Sequence, residues 1–466
     1  MFEHIHLIGI GGIGMSAVAH LLLKRGCQIS GCDLKVNDFI QGLRSEGVTV
    51  WMEHSKRHLE TVDTLVYSSA IPQDNLEVKD ARRRGIRLMK RAEILAYLMQ
   101  DLTVITVTGM HGKTTTASLA SCLLSEAGLF PTIAVGGIVQ NLGGNALLGE
   151  GRFFVAEADE SDGSFLYYHP DYSIITNVDY EHLDYYKSFN SVLETFGRFI
   201  NQTRDNGCLF WWRDDPHLRK LLKGYKKKTL SFGLNQNADI RAQNIAPGPF
   251  KSEFDCFLNN KFVAGFKVGL GGRHNILNSL PVIGLGLELG ISIETIKSAL
   301  INYKGTRRRL QIKFESPDYL ILDDYGHHPT EIKATLETIK LLNPKRLLVI
   351  FQPHRYTRTK LLLDSFGSCF DLADRLIVTD IYPAGECPID GVSGYSIYKK
   401  LELRNHPGAK FLPKDDIVDY VLKNLNVGDV ILVLGAGDIT KISDEFANIL
   451  KRKIQDKRTV SRAYQF

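Results

Sequence analysis

The sequence lacks the features that mark membrane-spanning, secreted and nucleic-acid-binding proteins. No apolar stretch approaches the ~18 residues that a membrane-spanning helix needs. The opening residues MFEHIHLIGIGG predict a strand and a glycine turn, not a signal peptide. The 57 basic and 52 acidic residues leave a formal net charge of only +5, too little to indicate a nucleic-acid surface. These absences indicate a cytoplasmic protein with no membrane insertion and no nucleic-acid partner.

Cysteine is scarce and its spacing is irregular. The seven cysteines are odd in number, and no C-x-x-C pair brings two of them together. Disulfide frameworks and zinc sites both favour paired or closely spaced cysteines. The sequence therefore predicts reduced, buried thiols, with neither a disulfide framework nor a zinc site.

Strand and helix patterns alternate along the whole chain of 466 residues, which is longer than one hydrophobic core usually serves. Such alternation is typical of α/β proteins with parallel sheets. The sequence predicts three domains: a Rossmann-like domain at 1–100, a central domain at 101–302 and a second Rossmann-like domain at 303–466. The central domain is expected to resemble P-loop ATPases, with a mostly parallel sheet and a small antiparallel appendage.

A first glycine turn follows the predicted strand His4–Ile8. The run GIGGIG at Gly9–Gly14 precedes a helical pattern, and a second predicted strand, Gln28–Cys32, ends at Asp33. This order is typical of a βαβ unit that binds a dinucleotide. The glycine pattern alone fits NAD, FAD and a nucleotide sugar equally well.

A second glycine turn lies in the run Thr103–Leu119, TVITVTGMHGKTTTASL. Gly109 and Gly112 let backbone N–H groups approach anionic oxygens, and the helix that begins near Lys113 adds its positive dipole end. The Lys113 ammonium can reach the outer phosphates of a nucleotide, and the Thr114 hydroxyl can bind Mg²⁺. A structural turn could carry the same pattern, but the preceding strand and the following helix favour phosphate binding.

Polar groups follow two further strands of the central segment. Four carboxylates come at the end of the predicted strand Phe153–Glu157, where open α/β sheets bind ligands: Glu157, Asp159, Glu160 and Asp162. Glu157 is the best Mg²⁺ ligand among them, and the alternative is a solvated loop in which Asp162 caps a helix. His182 follows the next strand and is a second possible ligand, although an isolated histidine is usually structural.

The third segment carries cationic groups at similar positions. Arg307–Arg309 could hold a triphosphate, or could be a surface run. The run DDYGHHP at 323–329 places two acids, a phenol and two imidazoles between a strand and a helix. Arg355 and Arg358 follow the next strand, where guanidinium groups can bind carboxylates.

Taken in order, these blocks resemble the Mur ligases, most closely the branch that joins L-alanine to UDP-N-acetylmuramate. The resemblance runs from about His6 to Gly437. Its motifs are GIGGIGMS at 9–16, SSAIP at 68–72, HGKTTT at 111–116, EADESDGSF at 157–165, GGRHNILN at 271–278, DDYGHHPTEI at 323–332 and QPHRYTRT at 352–359. One departure is Met110, where relatives usually carry threonine, and the run RRRLQ leaves open which of Arg307–Arg309 contacts ATP.

The resemblance implies a role for particular residues of this sequence. The catalytic residues would be Lys113, His182, His327 and Arg309. The ATP-binding residues would be Gly109, Met110, His111, Gly112, Lys113, Thr114, Thr115, Asn275, Asn278, Arg308 and Asp324. The residues that bind the other substrates would be Gly11, Gly12, Gly14, Met15, Ser16, Asp33, Ser69, Tyr325, His327, Arg355 and Arg358. The Mg²⁺ ligands would be Thr114, Glu157 and His182.

The resemblance also implies a reaction in peptidoglycan precursor synthesis. With ATP and Mg²⁺, the carboxylate of UDP-N-acetylmuramate would attack the γ-phosphate, and the L-alanine amine would then attack the acyl phosphate. Because an acyl phosphate hydrolyses readily, the domains would close and exclude water before the reaction. The protein is expected to be a monomer or a weak homodimer.

Two alternatives remain open from the sequence. A sister ligase would attach a preformed peptide to the same nucleotide sugar. An NAD-dependent oxidoreductase would use the GIGGIG turn and Asp33 but would leave Lys113 and Glu157 without a role. A third reading, a nucleotide-binding regulator without activity, is disfavoured because the lysine, the acids and the arginines are all present.

Overall fold

Alternating strands and helices build three mostly parallel sheets in the computed structural model, which describes residues 2–463, with only the backbone at 183, 184 and 454–463. The described chain forms two compact units. The first unit comprises 2–245, Glu253–Gly269 and Asn275–Lys304, and the second comprises Ala246–Ser252, Leu270–His274 and 305–463. The α/β fold with mostly parallel sheets is as predicted.

The first sheet is entirely parallel, in the order β3-β2-β1-β4-β5. Its strands are β1 His4–Ile8, β2 Gln28–Cys32, β3 Thr49–Trp51, β4 Thr64–Tyr67 and β5 Arg87–Lys90. Its helices are α1 Ile13–Lys24, α2 Asp38–Ser45, α3 Leu76–Arg84 and α4 Arg91–Leu98, and a 3₁₀ helix spans Lys56–Leu59. The order reverses at β1 and β4, so the turns after these two strands flank the crevice where such sheets bind ligands.

The central sheet has the order β15-β14-β13-β12-β11-β10-β6-β9-β7-β8. Its strands are β6 Thr103–Thr108, β7 Thr132–Val139, β8 Gly144–Leu147, β9 Phe153–Glu157, β10 Tyr172–Ile175, β11 Cys208–Trp212, β12 Thr229–Gly233, β13 Ile240–Pro247, β14 Ser252–Leu258 and β15 Lys261–Val268. Its helices are α5 Lys113–Glu126, α6 Leu183–Tyr186, α7 Phe189–Gln202, α8 Pro216–Leu221, α9 Arg273–Glu288 and α10 Ile293–Ile301, with a 3₁₀ helix at Ser164–Tyr167. Strand β6 lies between β9 and β10, which brings the ends of these three strands together.

The predicted antiparallel appendage is the hairpin of β14 and β15. Asn259 and Asn260 join these strands with φ values of 49° and 66°, as a two-residue hairpin turn requires. Short alternating runs between about 206 and 268 predict an antiparallel appendage over that whole range, but β11, β12 and the start of β13 continue the sheet in parallel. The hairpin therefore follows strands that extend the parallel sheet.

The third sheet has the order β16-β17-β21-β18-β19-β20, and only its edge pair β16–β17 is antiparallel among the described pairs. Its strands are β16 Gln311–Glu315, β17 Tyr319–Asp324, β18 Arg346–Phe351, β19 Arg375–Val378, β20 Ala409–Phe411 and β21 Asp429–Leu434. Its helices are α11 Pro329–Lys340, α12 Tyr356–Leu361, α13 Leu363–Phe366, α14 Gly394–Leu403, α15 Ile417–Lys423 and α16 Thr440–Ala463, with a 3₁₀ helix at Lys414–Asp416. The sequence pattern at 356–370 predicts a single helix, but the structure has the two short helices α12 and α13 there.

The first two sheets share one hydrophobic core within the first unit. A single cluster of buried side chains contains Leu7 and Val18 from the first sheet and its helix α1, and Phe154 and Phe165 from the central segment. Helix α1 packs on β7 and β8, where the Asn145 side-chain amide donates to Ile13 O at 2.6 Å. These contacts hold the first glycine turn and the phosphate loop in one unit.

The cysteines are mostly placed as the sequence predicts. Cys32, Cys122, Cys208, Cys256 and Cys369 are buried free thiols, Cys27 is half-buried, and only Cys387 is exposed. The expectation of a buried thiol is therefore wrong at Cys387. Among the described residues no helix is long and apolar enough to cross a membrane.

Truncation of Phe165 tests how much the shared core contributes to stability. The Phe165 ring is fully buried and stacks on Phe199 with ring centroids 4.6 Å apart. The Phe165→Ala change should lower the free energy of unfolding by about 3–5 kcal/mol, because it leaves a cavity. Phe262→Ala, at an aromatic ring that is 60% exposed, should lower it by less than about 1 kcal/mol. Equal effects of the two changes in denaturant unfolding would contradict this packing.

Candidate functional site

The phosphate loop between β6 and α5 is anchored by the neighbouring strand end. Asn177, which follows β10, accepts from His111 N–H with its side-chain oxygen at 2.9 Å and donates from its amide nitrogen to His111 O at 2.9 Å. The backbone oxygen of Asn177 also accepts from Met110 N–H at 3.3 Å. The N–H groups of Met110 and His111, two of the predicted ATP ligands, thus donate to Asn177 and not to a ligand.

The glycines of the loop are required by close contacts. Gly109 and Gly112 have φ values of 124° and 83°, which side-chain-bearing residues rarely adopt. A Cβ on Gly109 would collide with Thr176, and one on Gly112 would collide with the Asn278 side-chain amide. Helix α5 begins directly after Gly112. Its first N–H groups, at Lys113, Thr114 and Thr115, have no acceptor within the helix and point out of its end.

Lys113 forms a buried ion pair at the centre of this site. Its ammonium donates to Glu160 Oε1 at 2.7 Å and to Gly109 O at 2.6 Å. Burial alone would lower the pKa of Lys113, but the charges of Glu160, Asp159 and Glu157 raise it above its ordinary value. The lysine is therefore fully charged, as a ligand for phosphate must be.

The carboxylates after β9 have different partners. Glu157 Oε2 accepts from the Thr114 hydroxyl at 2.9 Å and from Gly136 N–H at 2.8 Å. Asp162 accepts from Ser164 N–H at 2.9 Å at the start of a 3₁₀ helix, which is the capping alternative foreseen from the sequence. The structure therefore brings the predicted Mg²⁺ ligands Thr114 and Glu157 into direct contact and assigns Asp162 to the loop.

His182 lies on the other side of Lys113. Its Nε2 is 3.5 Å from Glu160 Oε1, and its backbone has a φ of 57°, a strained value of the kind that clusters at functional sites. Burial alone would lower the pKa of His182, but its hydrogen bond to Glu160 and the charges of Glu160 and Glu181 raise it. Glu160 therefore bridges two of the predicted catalytic residues.

Asp159 connects this site to the first sheet. Its carboxylate is 3.3 Å from the guanidinium of Arg91, at the start of α4. Although burial opposes its ionisation, Arg91 and Lys113 lower the pKa of Asp159 to about 2. A Cβ on Gly14 would collide with the same guanidinium. Arg91 therefore lies between the first glycine turn and the phosphate loop.

The Asp33 side chain stabilises the first glycine turn by a hydrogen bond to its backbone. Asp33 Oδ2 accepts from Gly11 N–H at 2.9 Å, and Gly12 N–H donates to Gly9 O at 3.0 Å. Ser69 is exposed in the loop after β4, the neighbour of β1. The turn and this loop thus lie at the same edge of the first sheet.

Two of the predicted substrate ligands in this region are buried. The Met15 side chain belongs to the hydrophobic core, and the Ser16 hydroxyl donates to Ile13 O at 3.0 Å. Ser16 N–H also donates within α1, to Gly12 O. The Met15 N–H lies in the first turn of α1, where an N–H group has no acceptor within the helix. It is therefore the one group of these two residues that could donate to a ligand.

In the second unit, Asp324 ends the buried strand β17. Its two carboxylate oxygens accept from Leu310 N–H at 2.8 Å and from Gly326 N–H at 2.7 Å. Burial raises the pKa of Asp324 to about 6, although Arg309 and the two N–H donors act in the opposite direction. Asp324 therefore fixes the turn that carries Tyr325 and His327.

The arginines beside this turn have different environments. Arg308 donates to Gly435 O, and its Nε lies 3.6 Å from Asp323 Oδ2. The guanidinium groups of Arg308 and Arg309 lie 5.1 and 5.3 Å from the centroid of the Tyr325 ring. Arg308 is thus bound to the ends of two neighbouring strands, β17 and β21.

The predicted carboxylate-binding groups come together after β18. The rings of His327 and His354 are 5.6 Å apart, and Arg358 Nη1 is 3.0 Å from His354 Nδ1. Burial, His327 and Arg358 lower the pKa of His354 to about 2, so this imidazole is neutral. Arg355 has a φ of 69° and begins the helix that carries Arg358.

Several residues of the site were given no role in the predictions from the sequence. Glu160, Asn177, Gly136 and Arg91 contact predicted site residues directly. Glu160 is one of the four acids noted at the end of β9, and Asn177 comes two residues after the end of β10. A polar group at a strand end indicates a site but does not rank its members. Gly136 and Arg91 carry no such signal, because only the tertiary fold brings them to the loop.

Three family descriptions match successive parts of the chain. The Mur ligase family catalytic domain matches residues 4–103, the Mur ligase middle domain matches 107–286, and the Mur ligase glutamate ligase domain matches 308–437. The UDP-N-acetylmuramate--L-alanine ligase of Pelotomaculum thermopropionicum is 42% identical over 451 residues, 96% of this chain and 98% of that protein. The chain belongs to the Mur ligase family.

Other Mur ligases are similar over almost the full length. The UDP-N-acetylmuramate--L-alanine ligase of Desulfotalea psychrophila is 43% identical over 96% of this chain and 98% of its own. The crystal structure of UDP-N-acetylmuramate-alanine ligase from Thermotoga maritima superposes with a TM-score of 0.84 at 28% identity, covering 97% of this chain and all of that one. The murein peptide ligase of Psychrobacter arcticus shares the fold, with a TM-score of 0.72 at 24% identity, covering 96% of this chain and 98% of its own.

The raised pKa of Asp324 should be visible in the stability of this Mur ligase. Between pH ~4, the ordinary value, and pH ~6, the folded state binds more protons than the unfolded state. The free energy of unfolding should therefore fall as the pH rises through this window, by about 3 kcal/mol for a shift of two units. Asp324→Asn should remove that decrease. Denaturant unfolding of both proteins from pH 4 to pH 7 checks this, and identical pH profiles would contradict it.

Proposed function

We propose that this Mur ligase joins L-alanine to the carboxylate of UDP-N-acetylmuramate, with ATP, in the synthesis of peptidoglycan precursors. The observation that carries the proposal is the match of 96% of the chain, at 42–43% identity, to relatives that bear this activity in their names. The geometry of the first unit supports it, because a charged lysine, a helix start and a hydroxyl–carboxylate pair lie together there.

The phosphate loop fits the triphosphate of ATP. Gly112 keeps the start of α5 open, since a Cβ there would fill the space beside Asn278. The available backbone donors are those of the first helical turn, at Lys113, Thr114 and Thr115, while Met110 and His111 shape the loop. Lys113 would exchange its carbonyl and Glu160 partners for phosphate oxygens. Asn275, whose side-chain oxygen accepts from the Asn278 amide at 3.1 Å, would lie beside the nucleotide with it.

The residues present also fit Mg²⁺. Thr114 Oγ1 and Glu157 Oε2 are 2.9 Å apart and supply the hard oxygen ligands that this ion prefers, and His182 would be a further ligand. The bound ion would offset negative charge on the phosphates. Gly136 N–H, which donates to Glu157, would orient the carboxylate. Glu160 would hold His182 in place, and it would also hold Lys113 until phosphate oxygens replace it.

The chemistry needs an activated carboxylate. Because a carboxylate is a poor electrophile, its oxygen must first become a leaving group, and transfer of the ATP γ-phosphoryl group achieves this. The amine of L-alanine then attacks the acyl phosphate, an amide bond forms and phosphate leaves. Lys113 would stabilise the charge on the phosphoryl group as it is transferred.

The remaining site residues have proposed roles in substrate binding. In the domain at 1–100, Gly11, Gly12, Gly14, Asp33 and Ser69 would bind or shape the site for the uridine diphosphate. In the domain at 303–466, Arg308, Arg309 and Asp324 would act toward ATP, and Tyr325, His327, Arg355 and Arg358 toward substrate carboxylates. The domain at 101–302 would bind ATP and Mg²⁺. We place the reaction in the cytoplasm and expect a monomer or a weak homodimer.

A ligation assay separates this activity from the alternatives. The protein is incubated with UDP-N-acetylmuramate, ATP and Mg²⁺, and ADP release is measured with L-alanine, glycine, L-serine or a tripeptide. The proposal requires ADP release that depends on L-alanine. Release with the tripeptide alone would indicate the sister ligase. Absence of ADP release, together with a nicotinamide absorbance change on adding NAD and a reduced substrate, would indicate an oxidoreductase.

Removal of the Lys113 ammonium tests the phosphate loop. Lys113→Ala should reduce L-alanine-dependent ADP release by about 1,000-fold or more, because the loop loses the ammonium that would stabilise the transferred phosphoryl group. Lys226→Ala, at an exposed lysine of the same unit, should leave the rate unchanged. Circular dichroism of both variants shows whether the fold is retained. Near-normal turnover of a folded Lys113→Ala protein would remove the loop from the mechanism.

A further inference from the structure

A second polar cluster is buried in the first sheet and takes no part in the proposed reaction. It consists of His6 on β1, Cys32 at the end of β2, His58 in the 3₁₀ helix Lys56–Leu59, and Glu77 in the first turn of α3. All four residues are buried, between 0% and 6% exposed. We call these four residues the buried cluster.

The buried cluster is centred on the Glu77 carboxylate. Glu77 Oε1 is 2.9 Å from His58 Nδ1, and Glu77 Oε2 is 3.3 Å from both His6 Nε2 and Cys32 Sγ. One ligand atom from each residue lies within 4.8 Å of every other. A tetrahedral zinc ion with bonds of about 2.0–2.3 Å separates its ligand atoms by about 3.3–3.6 Å. The four side chains therefore need only small shifts to surround one ion.

The His6 ring points an unsatisfied nitrogen into the buried cluster. His6 is fully buried, and its Nε2 makes no hydrogen bond of acceptable geometry among the described residues, although Glu77 is close. Its Nδ1 is 2.9 Å from the Ser30 hydroxyl, which orients the ring. A buried polar atom without a partner destabilises the folded state, and a metal cation bound in the cluster would give this nitrogen a partner.

Neighbouring groups orient the side chains of the buried cluster, as is common for metal ligands. The Glu77 carboxylate also accepts from Ser55 N–H at 2.7 Å, and the Trp51 ring stacks on His58 at 4.2 Å. Metal ligands in proteins are commonly oriented by such neighbours. His54, whose Nδ1 is 3.2 Å from Cys32 Sγ, is partly exposed and lies between the buried cluster and solvent.

We propose that His6, Cys32, His58 and Glu77 bind one Zn²⁺ ion in a closed structural site. A thiolate, two imidazoles and a carboxylate are a ligand set that zinc accepts in tetrahedral geometry. Binding breaks the S–H bond of Cys32 and releases that proton to solvent, as metal binding by a thiol requires. The ion ties β1, β2 and α3 together directly before Asp33, the residue that shapes the first glycine turn.

This inference revises the expectation that the chain has no zinc site. The four ligands stand at positions 6, 32, 58 and 77, so no local spacing reveals them. They meet because β1 and β2 are paired in parallel and because the 3₁₀ helix and α3 pack together beside them.

Cobalt substitution tests the site on the full-length protein. After chelation, the protein is titrated with Co²⁺, which replaces zinc and absorbs visibly. A tetrahedral site should give intense d–d bands, and the Cys32 thiolate should add a sulfur-to-cobalt charge-transfer band in the near ultraviolet, saturating at one ion per chain. Cys32→Ser should abolish the charge-transfer band. Cys27→Ser and Cys387→Ser, at thiols outside the buried cluster, should retain it.

A second measurement begins with the wild-type protein, so its main result does not depend on whether a variant folds. The zinc content of the purified wild-type protein should be one ion per chain by mass spectrometry, and added Zn²⁺ should raise the temperature of unfolding of the chelated protein. His58→Gln should lower the zinc content to near zero, whereas His20→Gln should not. The proposal is overturned if the wild-type protein neither contains zinc nor shows the charge-transfer band, or if folded Cys32→Ser retains both. These readouts are independent of ligase activity.

Discussion

The buried ion pair of Lys113 and Glu160 is the interaction on which the candidate site depends. A buried carboxylate and a buried ammonium are each costly alone, and together they become tolerable only with good geometry and further hydrogen bonds. Glu160 has both, because Thr108 and His182 approach its carboxylate and Tyr186 donates to its backbone oxygen. The pair keeps Lys113 charged and located at the loop in the absence of nucleotide. Its partners are oxygens that phosphate oxygens can replace, so the site is arranged before any ligand enters.

Parallel pairing explains why the polar groups of the first unit converge. The ends of β9, β6 and β10 lie side by side, and they carry Glu157, the phosphate loop and Asn177. Much of this was predictable, since strands such as His4–Ile8, Gln28–Cys32 and Phe153–Glu157 have the bounds that the sequence indicates. Each ends at a polar residue or is followed directly by a glycine turn or a polar residue, so the local sequence marks where the strand ends. Strand β3, with three residues, has no comparable signal.

The parts that the sequence does not reveal are those decided by tertiary packing. Four acids after β9 look equivalent in one dimension, yet Glu157 meets Thr114, Glu160 meets Lys113, Asp159 meets Arg91 and Asp162 caps a turn. Their differences come from the direction of each side chain in a loop, which no periodicity encodes. Met15 and Ser16 show that a motif can also suggest too much. Both belong to the GIGGIGMS motif, which predicts contact with substrate, yet their side chains are used within the first sheet and α1.

The two glycine turns of the first unit are each fixed by a side chain that accepts from a backbone N–H group of the turn, but the two side chains differ. In the first, Asp33 occupies Gly11 N–H, and in the second, Asn177 occupies His111 N–H. In both, a side chain that follows the neighbouring strand accepts from an N–H group of the turn, and the first N–H groups of the following helix have no acceptor within that helix. The chemical difference is charge. The Asp33 carboxylate adds a negative charge beside the first turn. The second turn also has carboxylates nearby, but it carries the charged ammonium of Lys113 and is fixed by the neutral Asn177 amide. The run GIGGIG has no cationic side chain, so the Lys113 ammonium is the feature that distinguishes the second turn from the first.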